Sequence, residues 1–113
     1  MIDKTEIKQR LGGDSEFLAE LRSLLGNTYP KQLAEIKGAI ADNDASSLEK
    51  VAHSLKGAVA NFGPSRARDL AMDLEVRGRE NRMDGAEPIY EQLEKAAHTL
   101  FEELGALVRE WST

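Results

Sequence analysis

The chain has 113 residues, no cysteine and a formal net charge of −5. This length suits one domain, read here as residues 1–113, with a core large enough to need no covalent staples. The missing cysteines exclude a disulfide framework and thiolate zinc sites, and the acidic balance argues against nucleic acid as a partner.

Abundant Ala, Leu, Glu, Lys and Arg, with only three prolines, favour an all-α chain. Asp3 and Glu6 form a capping-box pattern. A short helix carrying Ile7 and Leu11 should follow and stop at Gly12-Gly13. Asp14 or Ser15 then caps a second helix. Its apolar residues recur as Phe17, Leu21, Leu24, Leu25 and Thr28, then resume, rotated, as Tyr29, Leu33, Ile36 and Ile40. Pro30 lies at the join, where it cannot donate to the Gly26 carbonyl. The expectation is one long kinked helix over 15–41, with two helices broken near Asn27 as the alternative.

Asp44 or an adjacent residue should cap a third helix over 45–62, stopped by Gly63 and Pro64. Pro64 suits the first turn of a fourth helix, which carries Ala67, Leu70, Ala71 and Leu74 inward and fades over 78–81. Arg66, Arg68, Arg77, Arg79 and Arg82 cluster here, interleaved with Asp69, Asp73, Glu75 and Glu80, and read as a solvated mixed-charge face. Met72 and Val76 fall on the outer side. Asp84 and Glu87 form another capping box, with Pro88 in the first turn. The last helix, 85–111, carries Ile89, Leu93, Ala96, Leu100, Leu104, Leu107 and Trp111 inward. Long amphipathic helices joined by short loops make an antiparallel bundle.

The third helix holds one of the two histidines. Projected at about 100° per residue, Leu48, Val51, Ala52, Leu55, Val59 and Phe62 share one arc, and His53 lies about 150° from its centre. The imidazole should face solvent. Lys56 at i+3 and Gly57 at i+4 are its neighbours on the surface, with Ala60 one turn further. A solvent-facing glycine inside a helix costs about 1 kcal/mol relative to alanine. Gly57 has no local structural purpose, but it leaves a bare patch that another protein's surface can approach. An exposed imidazole is substantially neutral at pH 7 and can be a nucleophile. Lys56 could partly neutralise a phosphoryl group placed on it. Geometry alone leaves open whether His53 is more than a surface residue.

The run Ala52-His53-Ser54-Leu55-Lys56-Gly57-Ala58-Val59-Ala60-Asn61-Phe62-Gly63 resembles the signature of histidine phosphotransfer (HPt) domains. Leu74-Glu75 and Gly78-Arg79, the segment Leu11-Gly12-Gly13-Asp14 and the helical Pro30 are also similar to that family. The resemblance implies a four-helix antiparallel bundle with a short N-terminal helix over one end. It implies that His53 accepts a phosphoryl group from a receiver-domain phosphoaspartate and passes it to another receiver aspartate. Lys56 would stabilise the transferring charge, and Gly57 would admit the receiver. Asn61 matches a family position and is expected only to hydrogen-bond the helix C-terminus. The partners implied are receiver domains of response regulators and hybrid kinases, which bring the Mg²⁺; the module needs no cofactor of its own. No nucleotide-binding or kinase motif is present, so no ATP-dependent self-phosphorylation is expected.

Two alternatives stand beside this reading: a non-catalytic bundle that binds receivers or kinases, and the excised phospho-accepting domain of a chemotaxis-type kinase. Glu49/His53 and Glu94/His98 have i+4 spacing and point away from the core, so they read as surface pairs and not metal ligands. His98 lacks the Lys and Gly neighbours of His53. No run is apolar over the roughly 18–20 residues that cross a bilayer, and the charged segment 1–10 lacks a signal-peptide core. The expectation is a soluble, cytoplasmic monomer without a nucleic-acid or membrane partner.

Overall fold

Four short polar side chains start four of the helices. In the computed structural model, which describes residues 2–113, Asp3 accepts from the Glu6 amide and begins α1, Lys4–Leu11. Asp14 accepts from Glu16 and Phe17 and begins α2, Ser15–Ala41. Asp44 accepts from Ser47 and begins α3, Ala45–Ala60. Ser65 accepts from Arg68 and begins α4, Arg66–Arg79. Each cap satisfies amides that have no partner within the helix. The fifth helix, α5, Ala86–Trp111, starts differently: Gly85 at φ +79° makes the turn, and no side chain caps it. The expected Asp84/Glu87 capping box therefore does not form. The Asp84 carbonyl instead accepts from Arg77 Nη1 at 2.7 Å, which ties this loop to α4. Pro64 also lies outside the helix it was expected to open, because Ser65 takes the capping position after it.

The described residues form five helices and no strands. The α2 helix packs on α3 and α5, and α4 packs on the same two, so the four long helices close a ring around one core. Leu18, Leu25, Tyr29 and Ile36 of α2 meet Leu48, Leu55 and Val59 of α3, Leu74 of α4, and Leu93 and Leu104 of α5 there. Ile7 of α1 is fully buried in the same core.

The α2 helix runs unbroken through Pro30, as the long-helix reading expects. Its inward phase differs from the expected one. Leu18 is buried, while Phe17 and Leu24 are 44% and 62% exposed. Leu18, Leu25, Tyr29 and Ile36 follow one helical stripe, so the apparent rotation at Pro30 came from assigning Phe17 and Leu24 to the core. The α3 helix ends at Ala60, two residues before the expected limit, and Phe62 is buried beyond its end. No helix among the described residues is long and apolar enough to cross a membrane.

Candidate functional site

Leu48, Ala52, Leu55 and Val59 bury the inner face of α3. Their spacing turns His53 outward, and its side chain is 66% exposed. The neighbouring α4 buries Ala67, Ala71, Leu74 and Gly78, and also Glu75 on the flank of that stripe. Gly78 lets the two helices meet closely. A Cβ there would stand 2.6 Å from the Glu49 nitrogen and 2.7 Å from the Ala45 oxygen, closer than packed atoms tolerate. One turn along α4 from this contact, Glu75 reaches the imidazole.

Glu75 is the centre of the site. Its side chain is 5% exposed. His53 Nδ1 lies 2.8 Å from Glu75 Oε2, and Lys56 Nζ lies 2.6 Å from Oε1. Arg79 Nη2 donates to Oε2 at 3.0 Å, and Arg79 Nε donates to Glu49 Oε2 at 3.1 Å. Burial alone pushes the Glu75 carboxyl up, but the contacts from Lys56 and His53 outweigh it and hold the group below the usual carboxylate range. Glu75 is therefore ionised at neutral pH and can only accept hydrogen bonds. A neutral His53 must then carry its proton on Nδ1, which leaves the Nε2 lone pair free. Nε2 has no partner among the described residues.

The expectation of a solvated mixed-charge face on α4 fails at Glu75. Packing against α3 buries this carboxylate, and Arg79 is drawn to it. Lys56 was expected beside the imidazole as an available cation. Its ammonium is instead engaged with Glu75, and its side chain is 24% exposed. Gly57 is exposed, and a Cβ there would meet nothing within 4 Å. It leaves a low, open surface one turn from His53. Asn61 caps the C-terminus of α3 and donates to the Ala58 carbonyl at 3.3 Å. Met72 is 52% exposed on α4, and Val76 is half-buried.

Sequence reasoning missed Glu75 and Arg79 as members of the site. A signal was present: Glu75 directly follows the inward Leu74 and lies four residues after the inward Ala71, on the edge of the buried stripe.

The other histidine has a different environment. Tyr29 OH lies 3.1 Å from His98 Nδ1, and His98 Nε2 lies 3.1 Å from Glu102 Oε1. Burial and then Glu102 raise the Tyr29 phenol above its ordinary value, against a smaller lowering by Arg22, so it stays protonated and can donate to Nδ1. A neutral His98 then carries its proton on Nε2, facing Glu102. Both of its nitrogens are engaged. The two Glu-x-x-x-His pairs are separated by their partners: Glu49 is held by Arg79, and Glu94 accepts from Tyr90 OH at 3.4 Å. Among the described residues no three His, Cys, Asp or Glu side chains are placed to hold a metal ion.

An open surface beside an imidazole with one nitrogen fixed and the other free suits transfer of a group between His53 and a docked protein. Comparison with curated proteins and with solved structures gives no match. A family model described as the Hpt domain matches residues 15–106, from the first residue of α2 to near the end of α5. The chain thus belongs to the Hpt domain family, whose members are phosphotransfer carriers in two-component signalling.

Proposed function

We propose that His53 is the phosphoryl acceptor of this carrier, taking the group from a receiver-domain phosphoaspartate and passing it to another receiver aspartate. The observation that carries the reading is the fixed imidazole. Buried, ionised Glu75 holds Nδ1–H and leaves Nε2 free on an exposed face. In the forward step the Nε2 lone pair attacks phosphorus. The bond from phosphorus to the aspartyl oxygen breaks, and the carboxylate leaves with that electron pair. The proton stays on Nδ1, and Glu75 balances the positive charge that the ring gains. The reverse chemistry on a second receiver returns Nε2 to its starting state.

Gly57 supplies the approach, since a larger side chain would stand between His53 and the receiver's active site. Lys56, drawn from Glu75 towards the new phosphoryl oxygens, offsets their charge. The receiver supplies Mg²⁺, which balances phosphate charge. The ring of contacts among α2, α3, α4 and α5 and their short connections support an antiparallel four-helix bundle with α1 as the extra helix. The reading takes residues 1–113 as one such domain, monomeric and cytoplasmic.

The test is incubation with a phosphorylated receiver and Mg²⁺, followed by assay of acid-labile phosphate on the bundle. Wild type takes up phosphate and His53→Gln does not. Uptake by neither protein, from receivers with which the wild type stably associates, would replace the carrier with a non-catalytic binding bundle.

A further inference from the structure

Glu75 Oε2 accepts from two donors. His53 Nδ1 lies 2.8 Å away and Arg79 Nη2 3.0 Å away, while Lys56 occupies Oε1. A carboxylate bonded to an imidazole fixes its tautomer, but it also stabilises the imidazolium. The imidazolium has no lone pair to offer phosphorus. A second cation on the same oxygen weakens that stabilisation and keeps the hydrogen bond. Arg79 is placed to do this, and Glu49 holds the far side of its guanidinium through Nε at 3.1 Å. With its side chain 56% exposed, Arg79 gains little from burial, so its position rests on these two carboxylates.

From this geometry we infer that Arg79 is a positioning residue that keeps His53 in its neutral, nucleophilic form by sharing Glu75 Oε2 with it. The inference rests on the proposed role of His53 as phosphoryl acceptor. Within one helical turn of His53, α3 carries Glu49, Lys50 and Lys56, and α4 contributes Glu75 and, through it, Arg79. Of these, Arg79 alone touches the oxygen that the imidazole uses. Lys56 also neutralises Glu75, but through the other oxygen, and it has the phosphoryl group as a second destination. Arg79 stays on Glu75 while Lys56 moves.

The test compares wild type, Arg79→Gln and Arg79→Lys. Imidazole NMR of the unphosphorylated proteins gives the His53 titration midpoint, and transfer from a phosphorylated receiver is timed between pH 6 and pH 8.5. Arg79→Gln keeps an amide donor and removes the charge. Its midpoint should rise by about half a unit to one unit, as expected for the loss of one nearby cation. Transfer should then be about twofold slower at pH 7, where less of the imidazole is neutral, and should match wild type at pH 8.5. Arg79→Lys keeps the charge and should stay within about 0.2 units of the wild-type midpoint. An unchanged midpoint in Arg79→Gln, equal shifts in both variants, or a transfer deficit that does not vary with pH would overturn the inference. Absence of transfer in the wild type would instead remove the proposed acceptor role. The midpoint comparison, made without phosphate, would still decide whether Arg79 tunes His53.

Discussion

His53 and His98 are equally exposed, at 66% and 65% of their side chains, and each sits on a long helix with a glutamate near it. They differ in which nitrogen is committed, and to what. His53 gives only Nδ1, to a carboxylate that is buried and held by two cations from different helices. His98 gives Nδ1 to the Tyr29 phenol and Nε2 to Glu102, a flexible side chain that is itself 67% exposed. Exposure makes both reachable, but only His53 offers a free nitrogen on a ring of fixed tautomer. The residue four positions on reinforces the contrast, being the open Gly57 after His53 and the glutamate Glu102 after His98.

The sharpest way to break this comparison is to remove the two glutamate partners. Glu75→Ala frees Nδ1, leaves Lys56 without its carboxylate and leaves Arg79 with Glu49 alone. Transfer should fall on the order of tenfold, equivalent to about 1.4 kcal/mol of lost transition-state stabilisation. Glu102→Ala should leave transfer unchanged. Timed transfer from one phosphorylated receiver checks both, and equal losses would erase the distinction between the histidines.

The open surface is the next target. Gly57→Leu should slow transfer severalfold at low receiver concentration while far-UV circular dichroism stays helical; normal transfer would remove the docking role. Gly57→Ala meets no neighbour, so thermal unfolding should show stabilisation of up to about 1 kcal/mol from helix propensity alone.

Acid should expose the Glu75 network. Its carboxyl titrates lower in the folded chain than in the unfolded one, so its ionisation stabilises the fold above the unfolded value near pH ~4.3. That contribution fades as pH falls through the lower folded value. The stability difference between wild type and Glu75→Gln, measured by denaturant unfolding, should therefore shrink as pH falls below the unfolded value. A constant difference would show that the ionised form is not favoured.

The smallest effect is expected at the second histidine. His98→Gln should alter transfer by less than about twofold and cost about 1 kcal/mol of stability, as the buried Tyr29 loses a hydrogen-bond partner.

Much of this was legible along α3. The 3.6-residue spacing of Leu48, Ala52, Leu55 and Val59 gives the phase, and the phase alone turns His53 and Gly57 outward. Glu75 was harder to read because its burial is a tertiary fact. It contacts a residue 22 positions away, and only the close α3–α4 approach at Gly78 brings it there. Among the arginines and acids of residues 66–82 it looked like any solvated carboxylate. The Lys56–Glu75 pairing was hidden for the same reason, since a cation three residues from His53 gives no hint that a buried anion on another helix holds it. On α2, Phe17 and Leu24 are as apolar as Leu18 and Leu25, and hydrophobicity alone could not select the inward pair.

The central claim is that phosphate goes to Nε2 of His53 because Glu75 occupies Nδ1. The most direct measurement is ¹⁵N and ³¹P NMR of the protein after phosphorylation by a phosphorylated receiver. The account predicts a single phosphohistidine, with phosphorus coupled to Nε2 of His53 and a proton retained on Nδ1. Phosphate on Nδ1 of His53, or on His98, would contradict it.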